Sequence, residues 1–284
     1  MALFRRSSVA VALVMAAAVA GCGSSDAPAA HRRDAVRTIT TTAAPVVTTV
    51  PTTTTTVPTT TTAPVPAPVA HTAAPACATS LASSLSSTGN ATQLLTVEAS
   101  GYGTTYATLT AWARQGPCWV AVLGPWTARL GASGFSDHKT EGDNATPTGS
   151  YGLGAVVYGN AADPGVRYSY HQLVCGDWWD EDPSSPQYNQ FVHVSCGQNP
   201  PFGGDSEALW QETQAYPAFA VIDYNTAPVE PGAGSAIFLH ADVGGPTAGC
   251  VSIPLSDLDA VLRWLDPAQD PLVVMGPSSE IARF

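Results

Sequence analysis

The stretch Ser235-Ala236-Ile237-Phe238-Leu239-His240, followed by Gly244-Gly245-Pro246-Thr247-Ala248-Gly249-Cys250-Val251-Ser252-Ile253-Pro254, is the part of the chain from which the rest can be read. Small and apolar residues from Ala236 to Leu239 read as a buried strand whose end presents the His240 imidazole. Gly244-Gly245-Pro246 turns the chain, and Gly249 lets the backbone of Cys250 come close to whatever that residue attacks. A thiol is mostly protonated at neutral pH, so a nucleophilic cysteine needs an imidazole or another positive influence beside it. His240 and Cys250 have that layout, and the N–H groups of Gly249 and Cys250 are candidate donors to an oxyanion. Spacing alone favours an inert buried cysteine and a hydrogen-bonded histidine.

The rest of the chain changes the balance. Arg5-Arg6, a continuous apolar run over 9–20 and then Gly21-Cys22 read as an export signal over 1–21, too short to span a bilayer comfortably. Val19-Ala20-Gly21-Cys22 resembles a bacterial lipobox, which favours Cys22 as a lipidation site tying the exported protein to the cell membrane, facing the wall, over an ordinary signal peptide cut nearby with Cys22 incidental. Five cysteines then remain in an oxidising compartment, and an odd number leaves one thiol free. Cys77 and Cys118 bracket the first globular segment, and Cys175 and Cys196 bracket a Trp- and Asp-rich loop, so two local disulfides with Cys250 left over is one pairing. Others, including pairings that consume Cys250, are equally compatible with the sequence.

Over 38–62, 15 of 25 residues are Thr, and a Pro/Ala-rich stretch follows to about 75. Such a composition builds no core, so 22–76 is expected to be a disordered spacer. The composition of 77–284 is globular, holding all seven Trp and all nine Tyr, and its length suits a single domain. That part carries 20 acidic and six basic residues, a formal charge of −14, which argues against nucleic-acid binding and suits a substrate bearing amines. Short β-rich runs at 93–98, 106–112, 119–122, 152–158, 218–224, 235–240 and 271–275 are separated by Gly, Pro, Asn and Asp. A helix is predicted over 257–265 with Ser256 as its cap, and a shorter one over 207–214 capped by Ser206. The fold expected is mainly β: a small sandwich of mixed or antiparallel sheets with a few flanking helices.

Several segments together carry a family likeness. Gly131-Ala132-Ser133-Gly134-Phe135 leads to Lys139-Thr140-Glu141-Gly142-Asp143 and Ala145-Thr146-Pro147-Thr148-Gly149; Asp177-Trp178-Trp179, Tyr188-Asn189, Val221-Ile222-Asp223-Tyr224-Asn225 and the stretch from His240 to Pro254 follow. In that order they resemble an L,D-transpeptidase catalytic domain of the YkuD/ErfK type, in the lipoprotein form found in actinobacteria. The resemblance implies a cysteine acyltransferase that cross-links peptidoglycan stem peptides, with Cys250 as nucleophile, His240 as base, Gly249 and Cys250 as oxyanion donors, and Thr247 in the Ser/Thr position before the glycine. No nucleotide, metal or redox cofactor motif appears, so no cofactor and no metal are expected, and a monomer is expected. Ala248 stands where many members carry a second histidine, Ser252-Ile253 replaces an Arg- or Asn-containing ending, and the His240 to Cys250 loop is short. These departures bear on substrate positioning more than on thiol chemistry.

Trp178 and Trp179 lie in an acidic aromatic loop suited to an amino sugar or stem peptide, and equally to a disulfide-held loop that packs both rings. Lys139, the one lysine of the chain, reads as an exposed loop residue beside Glu141 and Asp143; His138, His171 and His193 read as structural or surface groups, and Asp242 equally suits a turn. Two other functions fit parts of the pattern. A sortase-like peptidase also sets His before Cys but needs a downstream arginine partner, and only Arg263 and Arg283 follow Cys250. A non-catalytic wall-binding lipoprotein on the same scaffold would keep the aromatic segment and lose thiol reactivity.

Overall fold

The computed structural model describes residues 77–203 and 206–284. The predicted signal segment, the lipidation site Cys22 and the spacer up to 76 lie outside the described residues.

Among the described residues, fifteen strands form in chain order. They are β1 Gln93–Ala99, β2 Tyr106–Gln115, β3 Cys118–Arg129, β4 Phe135–Ser136, β5 Thr146–Pro147, β6 Gly149–Tyr151, β7 Leu153–Gly159, β8 Ser169–Gln172, β9 Asp177–Asp180, β10 Gln190–His193, β11 Glu207–Ala208, β12 Phe219–Ile222, β13 Phe238–Ala241, β14 Val251–Ile253 and β15 Leu272–Pro277. Two α-helices accompany them, α1 Leu81–Ser84 and α2 Leu255–Trp264. Ten strands make one mixed sheet in the order β6-β15-β1-β2-β3-β14-β13-β12-β7-β8. The remaining pieces are a three-stranded sheet β10-β9-β11 and a two-stranded pairing of β4 with β5. The mainly β class expected from the alternating runs is the class found.

The large sheet is built around a crossover. β13 and β14 run parallel, with Leu239 opposite Val251 and His240 opposite Ser252. Parallel neighbours need a connection that leaves and returns, and here the Gly244-to-Cys250 loop supplies it. Along β13 the side chains alternate. Leu239 and Ala241 enter the cluster that holds Leu95, Leu109, Val251 and Ile253, whereas Phe238 joins Trp179, Tyr216, Phe219 and Cys250 on the other side. Each large apolar side chain taken fully out of water contributes about 1.5–3 kcal/mol, so this alternation fixes which face His240 occupies.

α2 seals the first cluster with Leu258, Val261, Leu262 and Leu265, all at most 1% exposed. It begins two residues earlier than its sequence pattern predicts, and Ser256 does not cap it. The cap residue is Pro254, whose carbonyl accepts the N–H groups of Asp257 and Leu258, both at 2.9 Å. The predicted helix over 207–214 is absent. Glu207 and Ala208 instead pair with Trp179 and Trp178 of β9, and only a short 3-10 turn, Leu209–Gln211, follows. Ser206 Oγ, the expected cap, accepts the Glu181 N–H at 3.0 Å. Sheet pairing satisfies two strands' backbone groups at once, and it outcompetes a marginal helix of about two turns.

The segment expected as an acidic loop is the central strand β9. Asp177 pairs with His193 and Trp179 with Phe191 across β10, and the Cys175–Cys196 disulfide closes this hairpin just beyond its last pair. A second disulfide joins Cys77 to Cys118.

Candidate active site

Cys250 is a free, buried thiol. It ends the loop that returns to β14, and four hydrogen bonds fix that loop. Thr247 N–H donates to Leu130 O and Ala132 N–H to Thr247 O, both at 2.9 Å, docking the loop on the end of β3. Thr247 Oγ1 donates to Cys250 O at 2.7 Å and accepts the Gly249 N–H at 3.1 Å. Thr247 therefore braces the cysteine turn, and it uses up the N–H of Gly249, one of the two expected oxyanion donors. Gly249 itself has φ +152°, and a Cβ there would meet Ala145 O at 2.9 Å, Ile237 Cδ1 at 3.1 Å and Lys139 Nζ at 3.2 Å. The glycine before the cysteine is thus required by close approach.

The sulfur points back at the strand. Sγ–H donates to Ala236 O at 3.1 Å, and Sγ accepts the Phe238 N–H at 3.3 Å. Burial pushes the thiol pKa far up, the Glu207 and Glu181 carboxylates push it the same way, and the Phe238 N–H and Lys139 ammonium oppose them. The resting form is a thiol.

His240 lies on the face of β13 that Phe238 occupies, two residues further on, a step of roughly 7 Å along a strand. Its Nδ1 lies 2.9 Å from Ala241 O, which can only accept, so Nδ1 carries the hydrogen and Nε2 the lone pair. The ring stands edge-on to Tyr216, 5.5 Å between centroids, and burial lowers its pKa to about 4. The two residues paired by the sequence reading thus share a face, with the imidazole held by Tyr216 and Ala241 and the sulfur held by Ala236 and Phe238.

Cys250 opens onto a cavity of about 240 Å³ whose lining includes Lys139, Glu141, Asn144, Glu181, Glu207 and Ser235. Sequence reasoning placed none of these around the cysteine, and it placed Lys139 in solvent. The correction has a clear cause. Lys139 is 7% exposed, its methylenes lie against Gly234, where a Cβ would come within 2.8 Å, and its ammonium pairs with Asp143 at 2.9 Å. Burial opposes ionisation of Asp143, but the N–H of Ala145, the Lys139 ammonium and the N–H of Thr140 together hold its pKa below the ordinary value. Glu141 accepts from Ser235 Oγ at 2.6 Å and from Tyr188 Oη. Being the one lysine of the chain, within a Gly-flanked acidic segment, was the available signal for Lys139. Nothing local marked Glu207.

The aromatic pair does not line this cavity. Trp179 is 5% exposed and packs edge-on against Phe238 at 5.0 Å, donating Nε1–H to Asn189 Oδ1 at 3.0 Å. Trp178 points to the opposite face of β9, against Trp210 and Phe202. Strand pairing of the supposed loop makes both rings packing groups, Trp179 against Phe238 of β13 and Trp178 against Trp210 and Phe202 on the far side of β9. His171 and His193 flank the buried Asp177 at 2.8 and 2.7 Å, His138 is exposed, and Asp242 accepts the Gly244 N–H at 2.9 Å as a turn residue.

A family model of the L,D-transpeptidase catalytic domain, YkuD, matches residues 104–274. The chain belongs to that family. The match takes in every segment of the predicted likeness, from Gly131 through the Lys139 segment and Asn189 to Cys250 and α2. No curated protein matches the chain. The L,D-transpeptidase domain here therefore combines a free cysteine, a histidine on the same sheet face and a cavity lined by charged and polar side chains within one disulfide-bonded unit.

Proposed function

We propose that the protein is an exported peptidoglycan L,D-transpeptidase, anchored through a lipid on Cys22. Cys250 Sγ attacks the carbonyl carbon of diaminopimelate in a donor stem peptide, the C–N bond to the terminal D-Ala breaks, and the D-Ala amine leaves carrying a proton. A thioester then holds the acyl group until the side-chain amine of a second stem attacks it, forming a cross-linking amide and returning the thiol. The thioester preserves acyl energy for the amine and divides one difficult exchange into two displacements. The Cys250 N–H is the oxyanion donor, since Thr247 holds that of Gly249. The family likeness assigns proton removal to His240.

One observation carries the reading: a chain of the L,D-transpeptidase family keeps Cys250 unpaired at a cavity while its other four described cysteines are oxidised. Another observation favours a second reading, a wall-binding module without turnover, because both hydrogen-bonding capacities of the thiol are engaged by the β13 segment. Intact-mass measurement after incubation with a carbapenem separates the two. The enzyme forms a covalent adduct that disappears in Cys250→Ala, and an unmodified wild-type protein sinks the transpeptidase reading. Cleavage of a sorting peptide without such an adduct would favour the sortase-like alternative.

A further inference from the structure

Lys139 brings a positive charge into the cavity wall that holds Cys250 and leaves most of its hydrogen-bonding capacity unused. Its side chain is 3% exposed, and it is the one cation among the side chains lining that cavity, which Glu141, Glu181 and Glu207 line as well. An ammonium has three N–H donors. One of them meets Asp143 Oδ1 at 2.9 Å, and the other two have no acceptor among the described residues. The group is also fixed in place. A Cβ on Gly234 would lie 2.8 to 3.1 Å from the lysine methylenes, and Asp143 is itself tied down by the N–H groups of Thr140 and Ala145. At the tip, a Cβ on Gly249 would lie 3.2 Å from Nζ. With a carbon–carbon bond of about 1.5 Å, Nζ is at most about 4.7 Å from the Gly249 Cα. One carbonyl carbon separates that Cα from the Cys250 nitrogen.

We propose that the Lys139 ammonium is the second oxyanion donor of this site, in the role that Thr247 denies to the Gly249 N–H. As Sγ bonds to the carbonyl carbon, the π pair of the C=O bond moves onto oxygen. That oxygen accepts from the Cys250 N–H and from one of the two remaining Nζ–H groups. The pair then returns to re-form C=O, and the leaving group departs with the electrons of its bond to carbon. Lys139 keeps its three protons throughout, and the thiol proton leaves by the route of the acyl-transfer reading. The same contacts serve again when an amine attacks the thioester. The assignment rests on that reading for its substrates but not for the carbonyl step itself, which any acyl donor to Cys250 shares.

The charges around the cavity give this donor its value. Burial and the Glu207 and Glu181 carboxylates disfavour negative charge on Cys250, while the Phe238 N–H and the Lys139 ammonium oppose them. An oxyanion bonded to the carbon that Sγ attacks meets the same field, and one backbone N–H is a weak counterweight to it. A fixed cation in a site removed from water stabilises such a charge far more than it would in solvent, and it needs no reorganisation as the charge develops. An ammonium with unused donors also suits a substrate carboxylate, but its place beside the link from Gly249 to Cys250 favours the reacting carbonyl.

The test compares two reactions of Cys250. Acylation by p-nitrophenyl acetate, followed through the coloured phenolate, passes through an oxyanion and offers no carboxylate. Alkylation by iodoacetamide displaces iodide at a methylene carbon and forms no oxyanion. Lys139→Met should slow acylation relative to alkylation by roughly 100-fold, the lower end of the loss from removing one oxyanion donor. Equal slowing of the two reactions means that Lys139 serves only the thiol or its loop, and overturns the proposal. Unchanged acylation, the outcome for a lysine reserved for a substrate carboxylate, overturns it too. Because Lys139→Met leaves Asp143 without its cation, the double variant Lys139→Met, Asp143→Asn should show the same change of ratio and carries the test should the single variant fail to fold. A wild-type protein alkylated by iodoacetamide but not acylated by the ester also sinks the assignment. Acylation by the ester with no carbapenem adduct would instead remove the transpeptidase reading and leave the role of Lys139 standing.

Discussion

Asn189 is the residue whose replacement should most disturb the nucleophile without touching it. Its side-chain amide is fully used: Oδ1 accepts the Trp179 Nε1–H and the Ala236 N–H, both at 3.0 Å, and Nδ2 donates to Tyr224 O at 3.1 Å and Asn225 O at 2.8 Å. Two donors meeting one end and two carbonyls the other leave a single assignment of the amide. The residue is 4% exposed and its φ is +59°, a conformation that Asn tolerates better than Ala. Four hydrogen bonds at about 1 kcal/mol each, with about 1 kcal/mol of backbone strain, give a loss of about 5 kcal/mol for Asn189→Ala. For a domain of this size that corresponds to a fall in Tm of about 10–20 °C. Because Ala236 O accepts the Cys250 S–H, the thiol should also become more accessible to a maleimide in native buffer. Differential scanning calorimetry and timed maleimide labelling measure the two effects. A Tm within about 2 °C of wild type would refute the additive reading of the network.

Gly249→Ala should destabilise by about 1–3 kcal/mol through contacts with Ala145 O, Ile237 Cδ1 and Lys139 Nζ, and should slow carbapenem acylation, whereas Gly245→Ala, with nothing within 4 Å, should leave both unchanged; urea unfolding and intact mass read the pair. Asp137 is held down to about 2 from 3.8 by the Thr148 hydroxyl and the Arg283 guanidinium at 2.6 Å, with burial opposing and Tyr102 assisting. A depressed carboxyl contributes stability above its unfolded pKa and loses it as pH falls through the folded one. Stability should therefore decline between pH 3.8 and about 2, and the decline should be shallower in Asp137→Asn, as followed by acid unfolding of both proteins.

Some elements were legible because local chemistry agrees with the tertiary outcome. The run 93–98 became Gln93–Ala99, and 271–275 became Leu272–Pro277, since β-branched and apolar residues bounded by turn formers pack well as central strands. The face of α2 was equally clear from Leu258, Val261, Leu262 and Leu265. Its start was not, because Pro254 takes the cap through its carbonyl and Ser256 looks locally better suited. β9 was hidden by its own composition: Asp177 and Asp180 read as loop residues, yet both are fully buried, Asp177 by virtue of two histidines and a backbone N–H.

From the sequence alone came the class of fold, the family, and Cys250 and His240 as candidates, with the cysteine pairing left open until the structure joined Cys77 to Cys118 and Cys175 to Cys196. Those are properties of order and composition along the chain, fixed by turn glycines, alternation and an odd number of cysteines. Only the tertiary structure decided what surrounds the sulfur. Lys139 is buried because Gly234 and Gly249, about a hundred residues away, leave room for its stem. Glu207 faces the cavity because β11 pairs with a strand that the sequence disguises as a loop. Contacts between segments so far apart depend on which backbones pair, and pairing is settled by the summed burial of both faces of a sheet and by no single residue's preference.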